Sequence, residues 1–201
     1  MVYWARRLRR HTEGDILMIS VDTDPVALAA LHASARTWVC LHHRSAGTLA
    51  VDVAALAGAV TSRLGMSVPD FVFVCVSRGT DFTERAVRGA PAWGPYVRAC
   101  ADYLKTARAV IMDEECSRLD ASAAVRMLRS AAVGKRASFT ADQAWMRRAL
   151  WTVAYWKRAP AGGGADVDPL CGRFGWEIAA QGAVVASAAT LKGGIITIGA
   201  A

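Results

Sequence analysis

Two short apolar runs, each followed closely by aspartates, constrain the fold more than any other feature of this sequence. The first run is Ile16–Val21, followed by Asp22 and Asp24; the second is Phe71–Val76, with Asp81 shortly after it. Apolar runs of this length are typical of buried strands. If both are neighbouring parallel strands, their carboxyl ends meet at one edge of a sheet, where open α/β sheets place their sites.

Asp22, Asp24 and Asp81 would repel one another at a shared sheet edge unless a positive charge lies among them. A hard divalent cation such as Mg²⁺ or Mn²⁺ is the usual partner of clustered carboxylates. The alternative is purely structural, because aspartates after strands often form turns or cap helices. Asp22 or Asp24 can cap the helix that Pro25 is well placed to begin. Both interpretations of the Asp-x-Asp pair stay open at this stage.

The second apolar run also allows two interpretations. Asp70 can cap a helix, or Phe71–Val76 can be a strand, and Asp81 can reach the site from either element. Elsewhere the periodicity of apolar residues is clearer. It predicts helices over 24–35, 51–64, 96–132 and 139–156 and strands at 16–21, 37–43 and 194–198.

Length and composition predict one α/β domain with a helical C-terminal part. The 201 residues are 54% hydrophobic and only 20% charged, which suits a globular core rather than disorder. The net charge of +7, from 24 basic against 17 acidic residues, suits a polyanionic partner such as nucleic acid. We divide the chain into a basic N-terminal segment (1–13), an α/β part (14–105) and a helical C-terminal region (106–201).

The cysteines and the chain ends predict an intracellular protein without a membrane partner. The number of cysteines is odd and no CxxC spacing occurs, so reduced thiols are expected rather than disulfides or a zinc site. No apolar signal-peptide core follows the basic N terminus. The apolar tail 182–201 includes Lys192 and paired glycines, which predicts a packed terminal segment rather than a membrane span. The cysteines are Cys40, Cys75, Cys100, Cys116 and Cys171.

The order of these features resembles the flap endonuclease/XPG-type 5′ nucleases, whose fold is PIN-like. That family shows an Asp-x-Asp after one strand and, later, an apolar helix that ends in Gly-[Ser/Thr]-Asp-[Tyr/Phe]. Asp22-Thr23-Asp24 and Gly79-Thr80-Asp81-Phe82 match the two signatures in the family's order. The segment Ala149–Lys157 also resembles divergent members encoded by large DNA viruses.

The resemblance implies a structure-specific nuclease that hydrolyses phosphodiesters with Mg²⁺ or Mn²⁺. Asp22, Asp24 and Asp81 would then be both catalytic residues and metal ligands in a two-metal arrangement. DNA is favoured over RNA as the nucleic-acid partner.

The family also holds duplex phosphates on a glycine-rich turn within a helix–two-turn–helix. Gly89 and Gly94 occupy that place in this chain, although no lysine follows Pro95 as the family pattern requires. Nearby positive charge to bind nucleic acid would come from Arg85, Arg88 and Arg98.

The resemblance covers residues 14–105, the second half of a PIN-like nuclease core. The family carries further metal-binding acids before its Asp-x-Asp, whereas Glu13 is the sole acid in residues 1–13. Three explanations stay open: a fragment, a second chain that completes the fold, or a relative that has lost the chemistry. The alternative function is therefore a non-catalytic nuclease-fold protein that binds nucleic acid or forms part of a larger assembly.

Overall fold

The computed structural model describes residues 2–43, 47–132 and 137–158, together with three short strands further along the chain. These residues form an α/β fold with a small mixed sheet and a helical C-terminal part. The helices are α1 (Val2–Arg9), α2 (Asp24–Ala30), α3 (Val53–Ala59), continued by a π-helical turn (Val60–Leu64), α4 (Val68–Val76), α5 (Trp93–Ala107), α6 (Ala121–Ala131) and α7 (Gln143–Arg158). The strands are β1 (Ile16–Ser20), β2 (Thr37–His43), β3 (Gly47–Asp52), β4 (Val87–Arg88), β5 (Arg118–Asp120), β6 (Ser138–Phe139), β7 (Trp176–Ile178), β8 (Val184–Ala186) and β9 (Ile195–Thr197).

The main sheet has the strand order β1-β2-β3. Strand β1 runs parallel to β2, and β3 returns antiparallel along the other side of β2. Side chains alternate between the two faces of a strand. Ile16 and Met18 of β1 and Val39 of β2 are accordingly buried, whereas Leu17 and Ile19 face solvent. We call these the inner and outer faces of the sheet.

Three helices cover the inner face of this sheet. Val2 of α1, Ala29 of α2 and Val53 of α3 join Ile16 and Val39 in one small buried cluster. A basic side chain fixes α1 against β1: the guanidinium of Arg9 donates to the carbonyl oxygens of Gly14 at 2.8 Å and Arg36 at 2.7 Å. The basic N-terminal segment therefore folds as a helix that packs on the sheet.

Helix α4 lies in a second, larger core formed with α5, α6 and α7. Ser67 caps α4 by accepting a hydrogen bond from the N–H of Asp70, and Pro69 occupies its first turn. Most of its residues are apolar and buried, including Phe73 and Val74. A helix that is apolar on every side belongs in a core. The interpretation of Phe71–Val76 as a strand beside β1 is therefore wrong.

Several other predictions need correction at their boundaries. The helix predicted over 24–35 ends at Ala30, and the helix predicted over 51–64 starts one residue after β3 ends. The stretch 96–132 is broken between α5 and α6, where Arg108 and Cys116 adopt positive φ. Phe139 belongs to β6, so α7 begins at Gln143. Each error lies at a turn or a strand pairing, where apolar spacing carries little information.

Two further predictions are confirmed. Strand β2 has the predicted bounds, and the terminal strand predicted near residue 195 is β9, which pairs antiparallel with β5. The cysteines of the described residues form no disulfide: Cys40, Cys75, Cys100 and Cys116 are free, and Cys171 lies outside that part of the chain. Apart from β8 and β9, the tail 182–201 also lies outside the described residues.

The length and apolarity of the described helices decide whether any of them could cross a membrane. Across the described ranges, no single helix is long and apolar enough to cross a membrane. Val53–Leu64 and Val68–Val76 meet the length and composition criteria only as a pair, and that pair is bent by 97°.

Candidate metal centre

The turn after β1 presents two carboxylates. The N–H of Asp22 donates to Ser20 Oγ at 3.0 Å, and the N–H of Asp24 donates to Asp22 Oδ1 at 3.4 Å. Asp24 is the first residue of α2, with Pro25 directly after it. Thr23 rather than Asp22 or Asp24 is the N-cap of α2, and it makes no side-chain cap bond, so the structural role of Asp22 is confined to the turn.

A tightly bonded loop after α4 presents the third carboxylate, that of Asp81. Thr80 Oγ1 accepts hydrogen bonds from the N–H groups of Phe82 and Thr83, both at 3.1 Å, and the N–H of Thr80 donates to Thr83 O at 2.8 Å. Gly79 begins the loop at φ +96°, which favours glycine. These bonds hold the loop closed and leave the exposed Asp81 at its tip.

Packing between α2 and α4 brings the two aspartate-bearing segments together. Ala27 and Leu31 at the end of the α2 segment share the large buried cluster with Val72 and Val76 of α4. One carboxylate oxygen from each of Asp22, Asp24 and Asp81 lies within 4.8 Å of the other two. The structure thus brings together the three residues that the sequence singled out, although Asp81 follows a helix rather than a strand.

The surroundings of Asp24 in this cluster raise the pKa of its carboxyl group. Burial, then the neighbouring charges of Asp22 and Asp81, raise the pKa of Asp24 to about 6, although a hydrogen bond from the backbone of Asp81 acts in the opposite direction. Asp22 and Asp81 are exposed, whereas Asp24 is half-buried. A cation placed among the three carboxylates would remove the repulsion between them, which adds to the effect of burial on the pKa of Asp24.

The distances suit direct ligation by a hard cation after a small adjustment. Two oxygens on opposite sides of one Mg²⁺ are about 4.2 Å apart, and on opposite sides of one Ca²⁺ about 5 Å apart. The three oxygens lie within 4.8 Å of one another. Only one pair among three ligands can lie on opposite sides of a cation, so the other pairs would have to approach more closely when the exposed Asp22 and Asp81 side chains rotate towards it. The donor set, three carboxylates with no thiol or imidazole, also fits Mg²⁺ or Mn²⁺.

The residues predicted to bind nucleic acid lie just before β4, in β4, in the turn after it and in the first half of α5, and their role in binding stays a prediction. Arg85, Arg88 and Arg98 are all exposed, and Arg88 lies in β4, which pairs with β6. Gly89 adopts φ +66°, as a turn glycine does. Gly94 instead lies in the first turn of α5, where a Cβ atom would contact nothing within 4 Å.

A buried carboxylate outside the cluster was not predicted as a functional residue. Asp70 Oδ1 accepts hydrogen bonds from the N–H groups of Ile111 at 2.9 Å and Met112 at 2.8 Å, so it ties α4 to the segment before β5. Burial raises the pKa of Asp70 to about 6 against these hydrogen bonds. The sequence offered Asp70 as a helix cap, whereas Ser67 caps α4, and nothing in the sequence indicated the distant partners of Asp70.

Aromatic side chains extend from the cluster to α7. Phe82, next to Asp81, packs edge-to-face on Trp151, and Trp151 stacks on Tyr155. Trp145, Trp151 and Trp156 of α7 are all buried.

Comparisons with family models, curated proteins and solved structures found no match to this chain. The site must therefore be interpreted from its own geometry and from the motifs that carry the resemblance.

Proposed function

We propose that this chain carries part of the active centre of a Mg²⁺- or Mn²⁺-dependent nuclease with a PIN-like core of the flap endonuclease/XPG type. One observation carries the proposal: Asp22, Asp24 and Asp81, which match the family's two signatures, converge with oxygens within 4.8 Å of one another. The order of the two signatures in the sequence and the approach of their carboxylates in space together support a shared cation.

Each carboxylate has a distinct part in this proposal. Asp24 is half-buried at the start of α2 and provides the fixed ligand, while the exposed Asp22 and Asp81 close on the cation from the turn and the loop. When bound, the cation polarises a phosphodiester oxygen and lowers the pKa of a ligated water. The bond from Asp24 N–H to Asp22 orders the turn after β1, and the Thr80 bonds order the loop that carries Asp81.

Three carboxylates can ligate one cation well, but they are too few to ligate two cations. Two-metal hydrolysis places its cations about 4 Å apart, and each needs its own ligands. The described residues supply only the three aspartates of this cluster. The chain alone is therefore expected to bind a single cation and to cleave poorly, and a second chain that completes the site remains part of the proposal.

The nucleic-acid contact would rest on the net charge of +7 and on exposed arginines. Arg85 lies in the same 77–86 loop as Asp81, and Arg88 follows in β4, so both are close in sequence to the cluster. With Arg98 they would contact phosphates. DNA rather than RNA is proposed on the basis of the resemblance alone.

The alternative function, a non-catalytic component of a larger assembly, is favoured by a different observation. The outer face of β1 and its extension exposes an apolar row: Leu17 is 56%, Ile19 70% and Val21 86% exposed. Contiguous exposed apolar residues mark interaction surfaces more often than free surfaces.

A Mn²⁺ titration tests the metal centre directly. Calorimetry of the purified chain should give one Mn²⁺ site, which Asp24→Asn should abolish because it removes the half-buried ligand. Asp102→Asn, at an exposed acid on α5, is the matched control and should leave the titration unchanged. Equal Mn²⁺ binding by the wild-type and Asp24→Asn chains would contradict the proposed centre.

A cleavage assay then separates the two candidate functions. With Mg²⁺ or Mn²⁺, the chain should bind flapped, nicked and single-stranded substrates weakly and cleave them little or not at all. Robust cleavage that Asp24→Asn abolishes would indicate further ligands within this chain. Cleavage that appears only when another polypeptide is added would indicate a split active site. Absence of both binding and cleavage would favour the structural role.

A further inference from the structure

A half-buried histidine, His32, connects three helices of the chain. It follows the C-terminal end of α2. Its Nε2–H donates to the carbonyl oxygen of Trp156, in the last turn of α7, at 2.8 Å. Its Nδ1 accepts a hydrogen bond from Nη1 of Arg6, in α1, at 3.2 Å. The imidazole therefore links the basic helix α1 to the C-terminal end of α7.

The chemistry of its two partners fixes the position of the proton on the His32 ring. A carbonyl oxygen can only accept and a guanidinium can only donate, so Nε2 carries the proton and Nδ1 is bare. The neutral imidazole in this tautomer makes both bonds at once. A second proton would occupy Nδ1, which removes the acceptor for Arg6 and places two cations side by side.

The positive charges around His32 oppose its protonation. Burial lowers the pKa of His32 from the usual 6.5, and the bond to Trp156 O acts in the opposite direction. The charges of Arg6 on α1 and of Lys157 on α7 lower this pKa further. A His32 that has lost its contact with Arg6 takes up a proton more readily, so acid favours the state in which the contact is broken.

Helix α1 depends on few contacts for its place on the sheet. It has only eight residues, a length at which an isolated helix is marginal in water, so packing must hold it. Val2 and Ala5 are its buried side chains. Arg9 fixes its C-terminal end on neighbouring carbonyl oxygens, and Arg6 fixes its middle on His32. Loss of the Arg6 contact therefore weakens a helix with little other burial.

We propose that His32 is a pH-sensitive latch for helix α1. At neutral pH the imidazole holds Arg6, and with it α1, against the inner face of the sheet. When Nδ1 takes a proton from solvent, the imidazolium and the guanidinium repel each other and α1 leaves this face. Detachment releases Arg6 beside the exposed Arg7 and Arg10, so the N-terminal segment presents more positive charge in acid, and it uncovers Ile16 of β1.

Hydrogen exchange followed by mass spectrometry tests the latch in the full chain. Protection factors of α1 are measured at about pH 7.5 and about pH 5.5, each against an unstructured peptide of the same sequence at the same pH. In the wild-type chain, acid should lower the protection of α1 about tenfold, as expected for the loss of one charge-assisted hydrogen bond, while α6 keeps its protection. His32→Gln should keep the protection of α1 at both pH values, because an amide donates to Trp156 O and accepts from Arg6 without titrating.

Two further variants separate the latch from a general effect of acid. His11→Gln removes an exposed histidine just after α1 and should leave the pH dependence unchanged. Arg6→Met removes the cation and its bond but keeps an apolar stem, so α1 should be weakly protected at both pH values. NMR titration of the imidazole should then show a raised pKa for His32, because the repulsive charge is gone.

Four results would overturn the latch. The first is a wild-type protection of α1 that does not change with pH. The second is an equal fall in the wild-type chain and in His32→Gln. The third is an equal loss of protection in α1 and α6, which would indicate global unfolding. The fourth is a pH dependence in Arg6→Met as large as that of the wild type, and it applies even if His32→Gln fails to fold.

Discussion

The sheet layer and the helical layer of this molecule are built differently although they are similarly apolar in sequence. In the helical layer, α4 is buried on almost every side and α5 to α7 pack their apolar faces around it, and Phe73, Met146 and Leu150 are inaccessible to solvent. In the sheet layer, strands β1 to β3 bury one face only, and β1 leaves Leu17 and Ile19 exposed. The helical layer fills its own core, whereas the sheet layer has only helices α1 to α3 on its inner face.

Two aspartates with similar pKa values, one in each layer, have different surroundings. Asp70, in the helical layer, and Asp24, at the edge of the sheet layer, both have their pKa raised to about 6, chiefly by burial. Two backbone N–H groups satisfy Asp70, while Asp24 faces two further carboxylates. Hydrogen bonds from Ile111 and Met112 oppose the effect of burial at Asp70, whereas at Asp24 the charges of Asp22 and Asp81 add to it and one backbone hydrogen bond opposes it.

The largest expected effect compares one buried side chain from each layer. Leu150→Ala should lower the free energy of unfolding by about 3–5 kcal/mol, because the surrounding helices cannot close the cavity. Val39→Ala, at an equally buried position in β2, should cost roughly 2 kcal/mol, since fewer methyl groups are lost. Urea titrations followed by circular dichroism measure both, and equal losses would show that the sheet layer is as tightly packed as the helical layer.

The second effect is a dependence of stability on pH. Both aspartates have folded pKa values near 6 against a usual 3.8, so the unfolded chain loses its protons first and stability should fall as pH rises from about 4 to about 6. Asp24→Asn and Asp70→Asn should each remove part of that fall, because neither amide ionises. The measurement is Tm between pH 4 and pH 7.

Mn²⁺ distinguishes the two variants. At pH 7 the cation should raise the Tm of the wild-type chain and of Asp70→Asn, because it neutralises the cluster that contains Asp24. It should leave the Tm of Asp24→Asn unchanged. A Mn²⁺-induced rise in Tm for Asp24→Asn would show that the cation binds elsewhere.

The smallest effect concerns the two faces of β1. Ile19→Thr should change the free energy of unfolding by no more than about 0.5 kcal/mol, since the side chain is largely exposed and threonine keeps the β-branch. Met18→Thr, one position away on the inner face, should destabilise the chain clearly, because it places a hydroxyl in the small buried cluster. Similar losses for both variants would mean that the outer face is covered in solution.

The sequence left the type of α4 undecided between a helix and a buried strand. Ser67-x-x-Asp70 and Pro69 are helix-start signals, yet the apolar run that follows is equally suitable for a buried strand, because a side chain that is buried on every side leaves no periodicity. Strand β1, by contrast, was predicted from its short apolar run and the turn after it. Strand β3 was not predicted: the helix predicted over 51–64 included only its last two residues, and its strand character comes from pairing with β2.

The sequence by itself determined the candidate ligands, the α/β class and the approximate positions of β1, β2, β9 and the longer helices, because apolar spacing and short motifs act locally. Only the tertiary structure decided that Asp24 and Asp81 meet, since their distance depends on how α2 packs against α4. It alone placed Asp70 against Ile111 and Met112 and Phe82 against Trp151. Contacts between residues so far apart in the chain arise from the shape of the packed core, which no local pattern encodes.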